Sequence, residues 1–186
     1  MPETTVDRTY AVGTLWRRWP TALGVAFAAF LLTGADVQDN VAQLAALLPL
    51  EYLLVAKLGR RDLTWPLIAA LFVVTFAVTA VDAIPPSIVF AAMALAVLVW
   101  SAIDRQLLRS GELQIQALGT VGIGLLVLVG LIVDPGVGLY VVAATWFLHG
   151  IWDFVHIWRD KVVPRSYAEW CGVLDLLIAF GLVVLV

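Results

Sequence analysis

Apolar residues run along the chain in stretches of about 20, the length a helix needs to cross the hydrocarbon core of a bilayer, and each stretch closes on a short polar break. The pattern predicts seven spans, at 19–34, 38–57, 64–81, 85–103, 113–133, 136–158 and 166–186. The breaks carry turn chemistry: Gly34 with Asp36, Asp82 ahead of Pro85 and Pro86, Gly111, and the run Asp134, Pro135, Gly136. The expected fold class is all-α, a polytopic transmembrane helix bundle. One seven-helix domain over 19–186 follows a cytoplasmic N-terminal segment, 1–18.

Charge orients this arrangement. All eleven basic residues fall on one side: Arg8, Arg17 and Arg18; Lys57, Arg60 and Arg61; Arg105 and Arg109; Arg159, Lys161 and Arg165. The opposite loops carry only Asp36, Asp39, Asp82 and Asp134. Because basic loops stay in the cytoplasm, the N-terminus is expected inside and the C-terminus outside, in the inner (plasma) membrane. Trp16, Trp19, Trp65, Trp100, Trp158 and Trp170 lie near the same ends, where indole rings anchor among headgroups. Composition agrees: 62% of the 186 residues are apolar and 13% charged, and the mean hydropathy is +0.99. Arg17 and Arg18 ahead of an apolar run resemble the start of a signal peptide, but the membrane-length segments that follow make it an uncleaved anchor. A lone cysteine, Cys171, permits no internal disulfide. The partners expected are membrane lipids and a lipid or apolar small molecule, with no nucleic acid, and a homo-oligomer is compatible with so small a bundle.

Polar residues inside the spans are unevenly distributed. Spans three and four hold only Thr75, Thr79, Ser87 and Ser101, as lipid-facing or packing helices would. Span five carries Gln114, Gln116 and Thr120, then Gly119, Gly122 and Gly124, small residues that let backbones approach. In span two, Asp36, Asn40 and Gln43 share a face that continues to Glu51. Pro49 just before it lacks an N–H, so the carbonyl near Ala45 needs another partner or the helix kinks.

The chemistry concentrates between Thr145 and Asp175, which hold both histidines and the cysteine. His149, Asp153 and His156 fall within an arc of about 60° on one helix. Counted from the basic ends, Glu51, Asp153, Cys171, Asp175 and His149 lie at similar depths, roughly 8 to 15 Å inside, with His156 nearer the interface. An ionised group there costs about 2.5 to 3.5 kcal/mol unless paired or hydrated. Imidazole and carboxylate are the usual ligands of zinc or ferrous iron, so the metal candidates are His149, Asp153, His156 and Asp175, and the catalytic candidates are Asp153, Asp175 and Glu51. On that footing the chain is a metal-dependent intramembrane hydrolase acting on a lipid or apolar substrate. Two alternatives stand beside it, a proton-linked transporter or channel using the same acids as a relay, and a non-catalytic protein with a structural polar cluster. Haem is disfavoured, because two histidines on one face of one helix cannot approach opposite faces of an iron. Cys171 is a further soft ligand on the face of Asp175.

Overall fold

In the computed structural model, residues 17–33, 36–109 and 111–185 are described. Most of the N-terminal segment expected over 1–18, including Arg8 and Trp16, lies outside them, as do Gly34 and the last residue of the seventh expected span. The described residues form eight α-helices and no strand. These are α1 (Trp19–Leu31), α2 (Val37–Leu44), α3 (Leu47–Leu58), α4 (Thr64–Val81), α5 (Pro86–Ile103), α6 (Glu112–Ile132), α7 (Pro135–Arg159) and α8 (Arg165–Leu185). Short 3-10 turns at Arg61–Leu63 and Gln106–Leu108 lie between helices.

Six helices are long and apolar enough to cross a membrane, with α2 and α3 together making one of them, Val37–Leu58. The first expected span differs. As α1 it has 13 residues, about 20 Å of rise against a hydrocarbon core of about 30 Å.

Local chemistry explains where the helices start and stop. Proline occupies the first turn of α1, α5 and α7, where its missing N–H costs nothing. Asp134 caps α7 by accepting from the Gly136 N–H at 2.9 Å. Gly59 ends α3 in the left-handed conformation at φ 65°. The expected disturbance ahead of Pro49 is present as the break between α2 and α3. Ala45 and Ala46 keep helical dihedrals, so the rod continues across the position where proline cannot donate.

Burial follows the polar residues. The helices α4, α5 and α6 present Val73, Phe76, Leu95, Leu118 and Leu125 outward, whereas the buried Glu51, Lys57, His149, Asp153, His156 and Asp175 lie on α3, α7 and α8. The most extensive helix pair is α7 with α8, followed by α1 with α8. Two glycines allow close approach: a Cβ at Gly24 would stand 2.7 Å from the Trp170 carbonyl oxygen, and one at Gly138 would stand 2.6 Å from that of Gly130.

Ion pairs tie the loops at one end. Lys57 donates to Asp104 at 2.5 Å and to Gln106 at 2.8 Å, and lies 4.2 Å from the Trp100 ring centre. Arg159 and Lys161 both reach Glu112. Arg61 donates to the Asp160 carboxylate and to the Val163 carbonyl, both at 2.7 Å, and this hydrogen bond holds the Asp160 carboxyl below its ordinary range. Between those anchors Val162 has φ 66°, an unusual value for a β-branched residue, inside a γ-turn closed by Val163 N–H on the Lys161 carbonyl at 2.8 Å.

Because backbone blocks a side chain at Gly24 while nothing lies within 4 Å of a Cβ at Gly119, the two positions respond differently to leucine. Gly24→Leu is expected to lose about 1 to 3 kcal/mol, and Gly119→Leu under about 0.5. Thermal unfolding of the detergent-solubilised proteins measures the difference.

Candidate functional site

On α7 the buried positions Val142, Thr145, Trp146, His149, Gly150, Asp153 and His156 recur every three or four residues and form one inward face. On α8 the matching face carries Tyr167, Cys171, Gly172, Leu174, Asp175 and Ile178. The two faces are reciprocal. A Cβ at Gly150 would lie 3.2 Å from Asp175 Cβ, and a Cβ at Gly172 would lie 3.1 Å from Asp153 Cβ. Each glycine thus makes room for the acid of the opposite helix, and both carboxylates reach the same point.

That point is His149. Its Nδ1 lies 2.8 Å from Asp175 Oδ2 and 3.4 Å from Asp153 Oδ2. Cys171 Sγ stands 3.9 Å from Asp175 Oδ1. One ligand atom from each of His149, Asp153, Cys171 and Asp175 can be chosen so that all lie within 4.8 Å of one another, and all four residues are buried. This group could hold a metal ion. A nitrogen, a sulfur and two carboxylates are a donor set suited to zinc or iron.

A third helix joins through Tyr52 on α3. Its hydroxyl donates to Asp153 Oδ1, and its ring packs edge-on against His149 at 5.5 Å and against His156 at 4.7 Å between centres. Tyr52 is 1% exposed. Interfacial anchoring is the usual use of a membrane tyrosine, so its position in mid-span beside Glu51 was the available signal in the sequence.

The remaining candidates sit elsewhere. His156 is bonded at both ring nitrogens: Nδ1 is 2.9 Å from the Trp152 carbonyl oxygen and Nε2 is 2.9 Å from Gln116 Nε2. The Gln116 carbonyl oxygen accepts from the Trp152 indole at 3.2 Å, so its amide nitrogen is the donor to His156. Glu51 is fully buried, but neither oxygen has a hydrogen-bond partner among the described residues, and it stands outside the four-residue group. Farther along the same rod, Gln43 accepts from the Ser87 hydroxyl.

A cavity of about 340 Å3 adjoins the cluster between α3, α6 and α7, lined among others by Tyr52, Gln116, Gly119, Gly122, His149 and Trp152. The Nε2 of His149, on the ring edge away from Asp175, is buried with no partner among the described residues.

Tyr52→Phe removes one hydrogen bond and leaves Asp153 Oδ1 buried without a donor. The expected cost is about 1 to 3 kcal/mol of stability, visible as a lower thermal midpoint in detergent. Tyr140→Phe, at an exposed tyrosine, should shift it by under about 0.5 kcal/mol. No protein-family model matches the chain, and neither a curated protein nor a solved structure matches it.

Proposed function

We propose that this chain is a seven-span protein of the plasma membrane, N-terminus in the cytoplasm, that binds a divalent zinc or iron ion and hydrolyses a lipid or another apolar substrate. The observation carrying this reading is the convergence of His149, Asp153, Cys171 and Asp175 in a buried place. Ionised, the two carboxylates bring two negative charges against at most one positive charge on imidazole. No lysine or arginine pairs with either acid among the described residues. A divalent cation balances that charge, and isolated buried carboxylates without one are costly.

The seventh span is α1. Thr21 near its start bonds Glu169 near the start of α8, Gly24 meets Trp170, and Leu32 just beyond its end meets Gly181. The two helices therefore run parallel over the same depth. Two helices that start at one end are compatible with the inside-start, outside-finish topology of the charge pattern.

A divalent ion held by this group would supply two things to ester hydrolysis, an acidified water and a polarised carbonyl. The chain supplies the rest. His149, Asp153, Cys171 and Asp175 would hold the ion, Tyr52 orients the Asp153 carboxylate through its Oδ1, and the second oxygen of Asp175 is a base for a water proton. Water oxygen bonds to the carbonyl carbon, the ester C–O bond breaks, and the proton passes to the leaving alkoxide. Proton-linked transport has less support, since Glu51 has no hydrogen bond leading toward the cluster.

Elemental analysis of protein purified without chelators tests the reading. About one zinc or iron per chain is expected in the parent and in Glu51→Gln, with loss in His149→Ala and in Asp175→Ala, each checked for folding by thermal unfolding. A metal-free parent, or full occupancy in both folded ligand variants, would overturn it.

A further inference from the structure

The cavity beside the cluster has the attributes of a ligand site rather than a packing defect. Its wall is mostly apolar, and its polar side chains are Tyr52, Gln116, Thr120, His149 and Trp152. Gly119 and Gly122 line it from α6, and a Cβ at either would meet no atom within 4 Å. The missing side chains leave usable space and do not serve a close helix approach, unlike Gly24 and Gly138, where backbone oxygens stand within 2.7 Å of the Cβ position. At about 340 Å3 it lies at the small end of ligand pockets, which suits one acyl chain rather than two.

The second observation is His149. The residue is 1% exposed, it lines the cavity, and its Nε2 has no partner. Its Nδ1 is turned to Asp175 on α8, a helix that contributes nothing to the cavity wall, and Nε2 is the unbonded nitrogen of a ring that the cavity touches. A metal-binding imidazole normally gives its second N–H to a carboxylate or carbonyl. With Nδ1 on an ion, the ring proton resides on Nε2, and a buried N–H left unbonded costs about 1 to 3 kcal/mol. The other polar groups of the wall are taken: Gln116 by His156 and Trp152, the Tyr52 hydroxyl by Asp153, and the Thr120 hydroxyl by the Gln116 backbone carbonyl.

We propose that this cavity binds a single-chain lipid ester drawn from the bilayer, with the chain along Gly119 and Gly122 and the ester carbonyl oxygen accepting the His149 Nε2 proton. The ester names the substrate class of the hydrolase suggested above, and the tautomer rests on that metal assignment. An acceptor-only ester fits an N–H that lacks an acceptor. The bound carbonyl lies beside the imidazole whose other nitrogen faces the two carboxylates.

The test uses the full-length protein in detergent with a fatty-acid methyl ester bearing a diazirine in its chain. After irradiation, labelled peptides are mapped by mass spectrometry. Labelling is expected within 119–126 of α6 and 148–152 of α7, and competed about tenfold better by unlabelled methyl ester than by the matching alkane. Tenfold is the effect of one hydrogen bond worth about 1.4 kcal/mol. Gly122→Leu fills the cavity and should abolish the labelling. Gly124→Leu, on the same helix but lining a different cavity, should preserve it, and thermal unfolding of both confirms that they fold. Labelling indifferent to Gly122→Leu, or an alkane competing as well as the ester, overturns the proposal. Metal content measured on the same samples separates the two readings. Metal bound without cavity labelling removes only the ester site, whereas ester-selective labelling of a metal-free chain removes the metal centre and, with it, the His149 Nε2 hydrogen bond to the ester, so that outcome overturns the proposal as well.

Discussion

Two carboxylates buried beside one imidazole are the costliest feature of this bundle. Asp153 and Asp175 are fully enclosed, and His149 touches both. Charge in such surroundings persists only when it is paired, hydrogen-bonded or balanced by a metal. The packing around them answers that constraint. Gly150 and Gly172 bring α7 and α8 close enough for the acids to share one partner, and Tyr52 adds a hydrogen bond from a third helix. Tyr52 reaches the cluster from a rod interrupted one turn before Pro49.

The surrounding helices isolate this group from charge elsewhere. Three basic residues pair at the loop end, Lys57 with Asp104, Arg61 with Asp160, and Arg159 with Glu112. Each has an acid partner there, so none is shared with the cluster. These pairs cross between helices that are distant in sequence and fix the end of the bundle nearest the cluster. The α7–α8 loop is held so firmly by Arg61 that Val162 keeps a positive φ, a strain tolerated only where surrounding contacts over-determine the backbone.

Much of the scaffold was legible from the sequence. Six of the seven expected spans coincide with long apolar helices to within a few residues, because bilayer length and helix-breaking turns impose strong constraints on the pattern. The first was legible as an apolar segment but not as a 13-residue helix. Within the site, the spacing of His149 and Asp153 placed them on one face, and Asp175 was matched to their depth by counting. The structure brings these three and Cys171 together. Spacing alone did not distinguish His156, which shares the face but stands two turns nearer the end, where Gln116 and Trp152 engage its ring. Glu51 was read from depth, and depth does not say which neighbour a side chain faces. Tyr52 offered only its mid-span place beside Glu51 as a signal, because a phenol reaching across to another helix has no helical periodicity.

The orphaned Nε2 of His149 links the cluster to the cavity. If Nδ1 carried the proton, it would donate to Asp175, and Nε2 would be an acceptor awaiting a donor. If Nδ1 is given to a metal, Nε2 is a donor awaiting an acceptor. Either way one ring nitrogen faces the carboxylates and the other is buried with no partner among the described residues. A purely structural cluster gains nothing from that arrangement, because burying the second nitrogen unpaired subtracts from the stability that the first provides. An imidazole that couples a charged cluster on one edge to an adjoining cavity on the other has a physical rationale once something in the cavity completes its hydrogen bonding.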